Sequence, residues 1–392
     1  MSADATADPP RPTSGGRIPV LDGWRGLAIL VVVFHNAGAI SYSLSGERGL
    51  ATALLDTALA PGWVGVQLFF VLSGFLITGI LLDTAGRPGY FRSFYLRRTF
   101  RIFPVYYVLL VFAFLVVPLA APGAGWIEGP RADQLWYWLY LSNWRPLLEH
   151  PPGAMSHLWS LAVEEQFYLV WPLVVLLAGR RFPWVAVFVL VASPASRVAM
   201  LAAGWELDSL YYFTNARADA LAVGALLAVA ARSERRWAPS LRAAPAVLAA
   251  TSVGLIAIVL TTRGFVQQDA LVLVVGQTLI AVWFAVLMQL SLEPRSGWQR
   301  RMARELERPW LRAFGKYSYA IYVFHVPLSQ PLVPSVVERI GVVSTPAHVG
   351  LTFAYIALIL AASTALAAVS WRVLEAPLNR VKDRVSPRPA AA

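Results

Sequence analysis

Stretches of about 20 mostly apolar residues recur along this 392-residue chain. They fall at 18–40, 62–83, 102–120, 158–178, 183–203, 215–231, 243–261, 269–291, 313–334 and 347–371. At 1.5 Å per residue such a run matches the hydrocarbon thickness of a bilayer. Lipid offers no water to backbone N–H and C=O groups, so each run is expected to satisfy them internally, as a helix. The chain is 57% hydrophobic and 14% charged, against about 25% charged in a soluble domain. The expected fold is therefore an all-α polytopic membrane protein, a bundle of about ten transmembrane helices. Residues 1–17, rich in Pro, Ala and Asp, are expected to form a disordered tail with no removable signal peptide. Residues 18–380 form one membrane unit, and 381–392 a second tail.

The net charge of +11 does not point to nucleic acid, because the basic residues sit in short segments between apolar runs. They crowd every second segment: Arg11 and Arg17; Arg87, Arg92, Arg97, Arg98 and Arg101; Arg180 and Arg181; Arg232, Arg235, Arg236 and Arg242; Arg295 to Lys316; Arg372 to Arg388. The intervening segments hold only Arg48, Arg131, Arg145, Arg217, Arg263 and Arg339. Basic residues accumulate on the cytoplasmic side, so both termini are expected there, with the chain multi-pass in the cytoplasmic (inner) membrane. There is no cysteine, which excludes disulfides, thiol nucleophiles and thiolate metal sites; no metal site is expected. The longest outer segment, 121–157, contains WYWLYLSNW (Trp136–Trp144), which suits either the interface or a dip back into the bundle.

Ionisable residues inside the apolar runs are costly and are candidates for chemistry. In LDGWRGLAILVVVFHN (Leu21–Asn36), Arg25 lies near the cytoplasmic end. His35 lies about 22 Å deep by helical rise, a proton acceptor beyond the midplane. The ten-residue step turns them about 80° apart, so they line one path without stacking. In SHLWSLAVEEQFYLVWP (Ser156–Pro172), Glu164 and Glu165 are adjacent and project about 100° apart; one of them is expected to orient His35. His157 is expected at the outer interface. Arg98 and Arg101, three apart in the loop FYLRRTFRIFPVYY, share a helix face and suit a phosphorylated donor arriving from the cytoplasm. Arg217 and Asp219 are expected to pair with each other, and Glu375 with Arg372 and Arg380. Ser73, Asp219, Tyr319 and His325 are candidates for supporting roles around the site, and the glycines of 62–79 for close helix packing.

Taken in order, LDGWRGLAILVVVFH, FFVLSGFLITGIL, RRTFRIFPVYY, HLWSLAVEEQFYLVWP and YSYAIYVFH resemble the integral-membrane acyltransferase family 3 over residues 18–380. The resemblance implies transfer of an acyl group from cytoplasmic acyl-CoA, acetyl-CoA in the first instance, to a hydroxyl of a glycan or natural-product acceptor, with no permanently bound cofactor. It implies Arg25, Arg98 and Arg101 as donor-binding residues, and His35 with Glu164 or Glu165 as catalytic ones. Family members commonly carry one residue more between the helix-1 arginine and histidine, which argues against direct Arg25–His35 contact here. Some carry an appended extracytoplasmic esterase-like domain, which this chain, ending at Ala392, is expected to lack. The alternative is a secondary transporter or a glycan or lipid flippase, with His35, Glu164 and Arg25 as a relay. Against it, no two halves show corresponding broken segments.

Overall fold

A computed structural model of the protein describes residues 18–46, 48–121, 123, 125–147, 153–232 and 238–385. The expected tail 1–17 and the end of the second tail lie outside them. Ten long helices follow the ten apolar runs: α1 (Pro19–Gly38), α2 (Val64–Thr84), α3 (Tyr90–Val111), α4 (Leu158–Ala178), α5 (Phe182–Ala202), α6 (Thr214–Arg232), α7 (Ala238–Thr262), α8 (Gln277–Leu292), α9 (Pro309–Ser329) and α10 (Thr345–Ser370). By length and apolarity, eight of the described segments could cross a membrane, or nine if the bent pair Pro309–Ser329 and Leu332–Ile340 is one span. One of the eight, Gly153–Ala202, holds both α4 and α5, separated by a turn at Gly179–Arg181. Large apolar side chains on α5, among them Trp184, Phe188 and Val191, face outward, as suits a lipid solvent rather than water.

The helix pairs nearest the site meet backbone to backbone. A methyl group on Gly23 or Gly26 of α1 would collide with the carbonyls of Leu306 and Leu311, and one on Gly315 of α9 with the carbonyl of Asp22. The glycines flanking Trp24–Arg25 thus let α1 press against α9 and the segment before it. Trp24 secures the register by donating to Ser291 at 2.9 Å. In the same way Gly74 of α2 faces the Leu221 carbonyl and Gly224 of α6 the Val71 carbonyl. Small residues at such crossings supply the close packing that hydrophobicity cannot drive inside lipid. The only described strands, Ser45–Gly46 and Val342–Val343, pair in parallel and clasp the segment after α1 to the one before α10.

The structure departs from expectation at α3. The arginine-rich stretch expected as a loop before residue 102 is helical from Tyr90 onward, started by Gly89 in the left-handed conformation. A hydropathy pattern ends where charges begin. Here the charged turns remain helical because they face a polar cavity inside the protein.

A second departure lies among α2, α5, α6 and α8. Arg217 and Asp219 do not pair, since two residues on a helix point about 200° apart. Asp219 instead bonds Arg197 at 2.8 Å, with both side chains fully buried. Arg197 also reaches the Gln277 side chain at 2.9 Å and Thr278 at 2.6 Å. Arg217 donates to Gln67 at 2.7 Å from a cage of Phe70, Trp159 and Tyr211 rings. Asp219 therefore belongs to this closed network and does not support the site described next.

Candidate active site

A cavity of about 720 Å³ opens among α1, α2, α3, α4 and α9. Arg25, Arg97, Arg98, Arg101 and Lys316 line it, as do Glu164, Glu165 and Glu375. Each wall follows from local sequence. The glycine contacts of α1 fix the position of Arg25. The three-residue step of α3 turns Arg98 and Arg101 to one side. Arg98 lies over the rings of Phe94 and Tyr168, with centroids 5.8 Å and 5.4 Å away. Arg25, Arg98 and Arg101 are close enough to repel one another. Three guanidiniums held together at a cavity wall form a ready site for an anion with several oxygens, since each offers a planar fork of donors.

Glu164 belongs to this cluster. Ser73 donates to its Oε1 at 2.6 Å, and Tyr168 to its Oε2 at 3.3 Å; Ser73 and Tyr168 are 3.0 Å apart. Arg25 and Arg98 are the cations that act on it. The expectation that Glu164 orients His35 is therefore corrected. Glu164 stands at the level of Arg25, and His35 is about 15 Å further along α1. Glu165 does not serve in its place: it lines the same cavity, and its buried Oε1 has no hydrogen-bond partner. Glu375 is brought to the cavity by a π turn, Trp371–Glu375. It accepts a bond from Ser370 at 3.3 Å, with Arg101 and Lys316 as the cations that act on it, rather than pairing with Arg372 and Arg380. Tyr319 lines the cavity and donates to the Ile102 carbonyl at 2.7 Å.

His35 sits apart, half-buried, against Gly62 in the turn Ala60–Trp63 that leads into α2. Its Nδ1 lies 2.9 Å from the Leu59 carbonyl oxygen. A carbonyl can only accept, so Nδ1 carries the proton and Nε2 keeps its lone pair. His325 is fully buried, with Nδ1 donating to the Tyr322 carbonyl at 2.7 Å, and its Nε2 has no partner. His157 is buried as well, donating from Nε2 to the Val323 carbonyl at 3.0 Å. This corrects its expected place at the interface: α9 covers it, and its ring lies 5.3 Å from that of His325. Among the described residues no cluster of three metal-ligating side chains occurs.

A family model described as an acyltransferase domain matches residues 18–372. The chain belongs to that family. Peptidoglycan O-acetyltransferase OatA of Listeria monocytogenes is 28% identical over 328 residues, covering 79% of this chain and 49% of that protein. O-acetyltransferase OatA of Staphylococcus aureus is 27% identical over 337 residues, covering 79% and 50%. The chain thus spans about half the length of the curated relatives it matches. No solved structure matches it.

Within this acyltransferase fold, several residues of the cavity escaped the reading of the sequence. Tyr168 carries a clear signal in retrospect, since it lies one helical turn beyond Glu164. Lys316 stacks over Tyr317 and Trp371 at 4.8 Å and 4.6 Å, whereas in the sequence it is one more basic residue of the cluster that sets orientation. Tyr140, which lies outside the cavity lining, carries no local signal either. The aromatic outer segment dips into the bundle, and its backbone is held by Tyr106, Tyr107 and Gln166, which donate to the carbonyls of Tyr137, Trp138 and Tyr140. Tyr140 takes a left-handed φ of 54° and stacks on Tyr106 at 4.1 Å. A non-glycine residue in that conformation persists only when its surroundings hold it there.

Proposed function

We propose that this chain is a multi-pass O-acyltransferase of the cytoplasmic membrane, with ten crossings and both termini inside. It moves an acyl group, acetyl in the first instance, from cytoplasmic acyl-CoA to a hydroxyl of a peptidoglycan-type glycan. One observation carries the reading: Arg25, Arg98 and Arg101 converge with Lys316 on a single cavity, the arrangement a polyanionic donor requires. The arginine forks take the phosphates of CoA, while Glu164, held by Ser73 and Tyr168, keeps Arg25 and Arg98 in place. The pantetheine arm then runs along α1 from Arg25 toward His35, a rise of about 15 Å. Nε2 of His35, its lone pair set by the Leu59 carbonyl, takes the proton of the acceptor hydroxyl. The oxygen attacks the thioester carbonyl, the C–O bond forms, the C–S bond breaks, and the imidazolium returns the proton to the leaving thiolate.

The glycan acceptor follows the names of the relatives, and family membership disfavours the transporter alternative. The test is the purified protein in lipid nanodiscs with acetyl-CoA and a peptidoglycan disaccharide. The expected result is free CoA together with a disaccharide heavier by one acetyl group. Intact acetyl-CoA with unmodified disaccharide would overturn the reading.

A further inference from the structure

A serine, an aspartate and a histidine meet beyond the C-terminal end of α1, and none of the three lines the cavity. Ser41 lies in the turn Ala39–Tyr42, Asp56 in the short helix Leu50–Leu59 and His348 in the first turn of α10. Ser41 Oγ donates to Asp56 Oδ1 at 2.6 Å and lies 2.9 Å from His348 Nε2. The residue types are those of a hydrolase triad, but the wiring is not. In a triad the histidine takes the serine proton and the aspartate holds the histidine. Here the one proton of Ser41 goes to a carboxylate, which can only accept, so Nε2 of His348 is the donor to Ser41. The lone pair of His348 is left on Nδ1, buried and without a partner. Ser41 itself is fully buried. The cluster therefore offers no nucleophile; it is a clamp.

What it clamps is the helix Leu50–Leu59. Packing holds this helix only lightly, since Thr52 and Leu55 are its buried residues and Leu50 and Leu54 face outward. Polar bonds supply the rest. Asp56 takes the Ser41 proton, and Arg48 donates to the Ser41 carbonyl at 2.8 Å and lies 3.5 Å from Asp56 Oδ2. Leu59 lies three residues beyond Asp56, on the same side of the helix. Its carbonyl is the acceptor for Nδ1 of His35, at 2.9 Å. The bonds His348–Ser41–Asp56 thus end one turn from the group that decides which nitrogen of His35 is bare.

We propose that Asp56 is a positioning residue for acyl transfer. Through Ser41 it holds the Leu59 carbonyl in place, which keeps the proton of His35 on Nδ1 and leaves the Nε2 lone pair for the acceptor hydroxyl. The inference rests on the reading of His35 as the base. Without the clamp the helix end shifts, the carbonyl leaves Nδ1, and the ring is free to turn or to move its proton to Nε2, where it can no longer accept.

The experiment uses the purified protein in nanodiscs with acetyl-CoA and the peptidoglycan disaccharide. It reads kcat, KM for acetyl-CoA and the nitrogen NMR spectrum of isotope-labelled histidines, the His35 signal being the one lost in His35→Ala. Wild-type transfer no greater than that of His35→Ala overturns the underlying reading and this inference with it. Where transfer is present, Asp56→Ala should lower kcat by about tenfold or more, since a misplacement of about 1 Å can cost 10²-fold. KM for acetyl-CoA should stay near the wild-type value. Asp56→Asn keeps an acceptor for Ser41 and should recover most of the loss. The His35 signal should show the proton on Nδ1 in the wild type and Asp56→Asn, and on both nitrogens in Asp56→Ala. An unchanged kcat in Asp56→Ala, with the packing of Leu59 against Gly38 holding the carbonyl by itself, overturns the inference. So does a kcat lost while the His35 signal is unmoved, the mark of a merely structural loss, and so does an Asp56→Asn variant as slow as Asp56→Ala. Should Asp56→Ala not give monodisperse protein, an unchanged kcat in Ser41→Ala overturns it equally.

Discussion

Two groups of arginines lie inside this bundle, and they are built in opposite ways. Arg197 and Arg217 are fully buried and have their partners supplied by the protein: Asp219, Gln277 and Thr278 for one, Gln67 and three aromatic rings for the other. Arg25, Arg98 and Arg101 share a cavity wall, repel one another and face open space. A buried charge without a partner is strongly unfavourable, so its ion pair with Asp219 explains Arg197 as structure. The second group has Glu164 beside Arg25 and Arg98 and Glu375 beside Arg101, yet its guanidiniums still line open space that an anion with several oxygens could fill. The comparison teaches that an intramembrane charge is not in itself a sign of chemistry. What distinguishes a site is cationic surface directed at space.

Substitutions can break this contrast at either end. The largest effect is expected at His35, outside both groups: His35→Ala should lower acyl transfer by about 10²–10⁴-fold, the usual worth of a general base, with thermal stability close to wild type. Near-wild-type turnover would remove His35 from the mechanism. Next comes the closed network. Arg197→Ala strands Asp219 and should destabilise the fold by about 3–5 kcal/mol, visible as a large drop in melting temperature in detergent. Only a small change there would mean that the network is not the structural member of the pair. The smallest effect is expected at Glu164→Gln. It keeps the shape and the bonds from Ser73 and Tyr168 but removes the charge that faces Arg25 and Arg98. The expected outcome is a KM for acyl-CoA changed within about tenfold, corresponding to about 1.4 kcal/mol, and stability almost unmoved. A loss as large as that of His35→Ala would return Glu164 to the chemistry.

Much of the fold was legible because membrane insertion is governed by local properties. Run length is written residue by residue, and all ten long helices follow expected runs. The start of α3 was hidden for the same reason, since hydropathy cannot distinguish charged helical turns facing a cavity from a charged loop. The site was legible as a set of residue types: Arg25, Arg98 and Arg101 were singled out and share one wall. Pairing was not legible. Spacing along a helix tells which residues share its face, but not which helix lies opposite. Glu164 was therefore assigned to His35 although it lies against Arg25 and Arg98, and Asp219 to Arg217 although α5 brings it Arg197. The dip that carries Tyr140 into the bundle depends on tyrosines of α3 some 30 residues earlier in the chain, beyond the reach of any local pattern.

The central claim is that donor binding and proton transfer occupy two addresses on one path, at the arginine-lined cavity and at His35. Equilibrium binding of acetyl-CoA to the protein in nanodiscs tests it most directly, by calorimetry on the wild type, His35→Ala and the double variant Arg98→Ala, Arg101→Ala. The account predicts near-wild-type affinity for His35→Ala. It predicts a loss of at least about tenfold for the double variant, since a hydrogen bond to a charged group is worth about 1.5–3 kcal/mol. Unchanged affinity in the double variant, or lost affinity in His35→Ala, would contradict it.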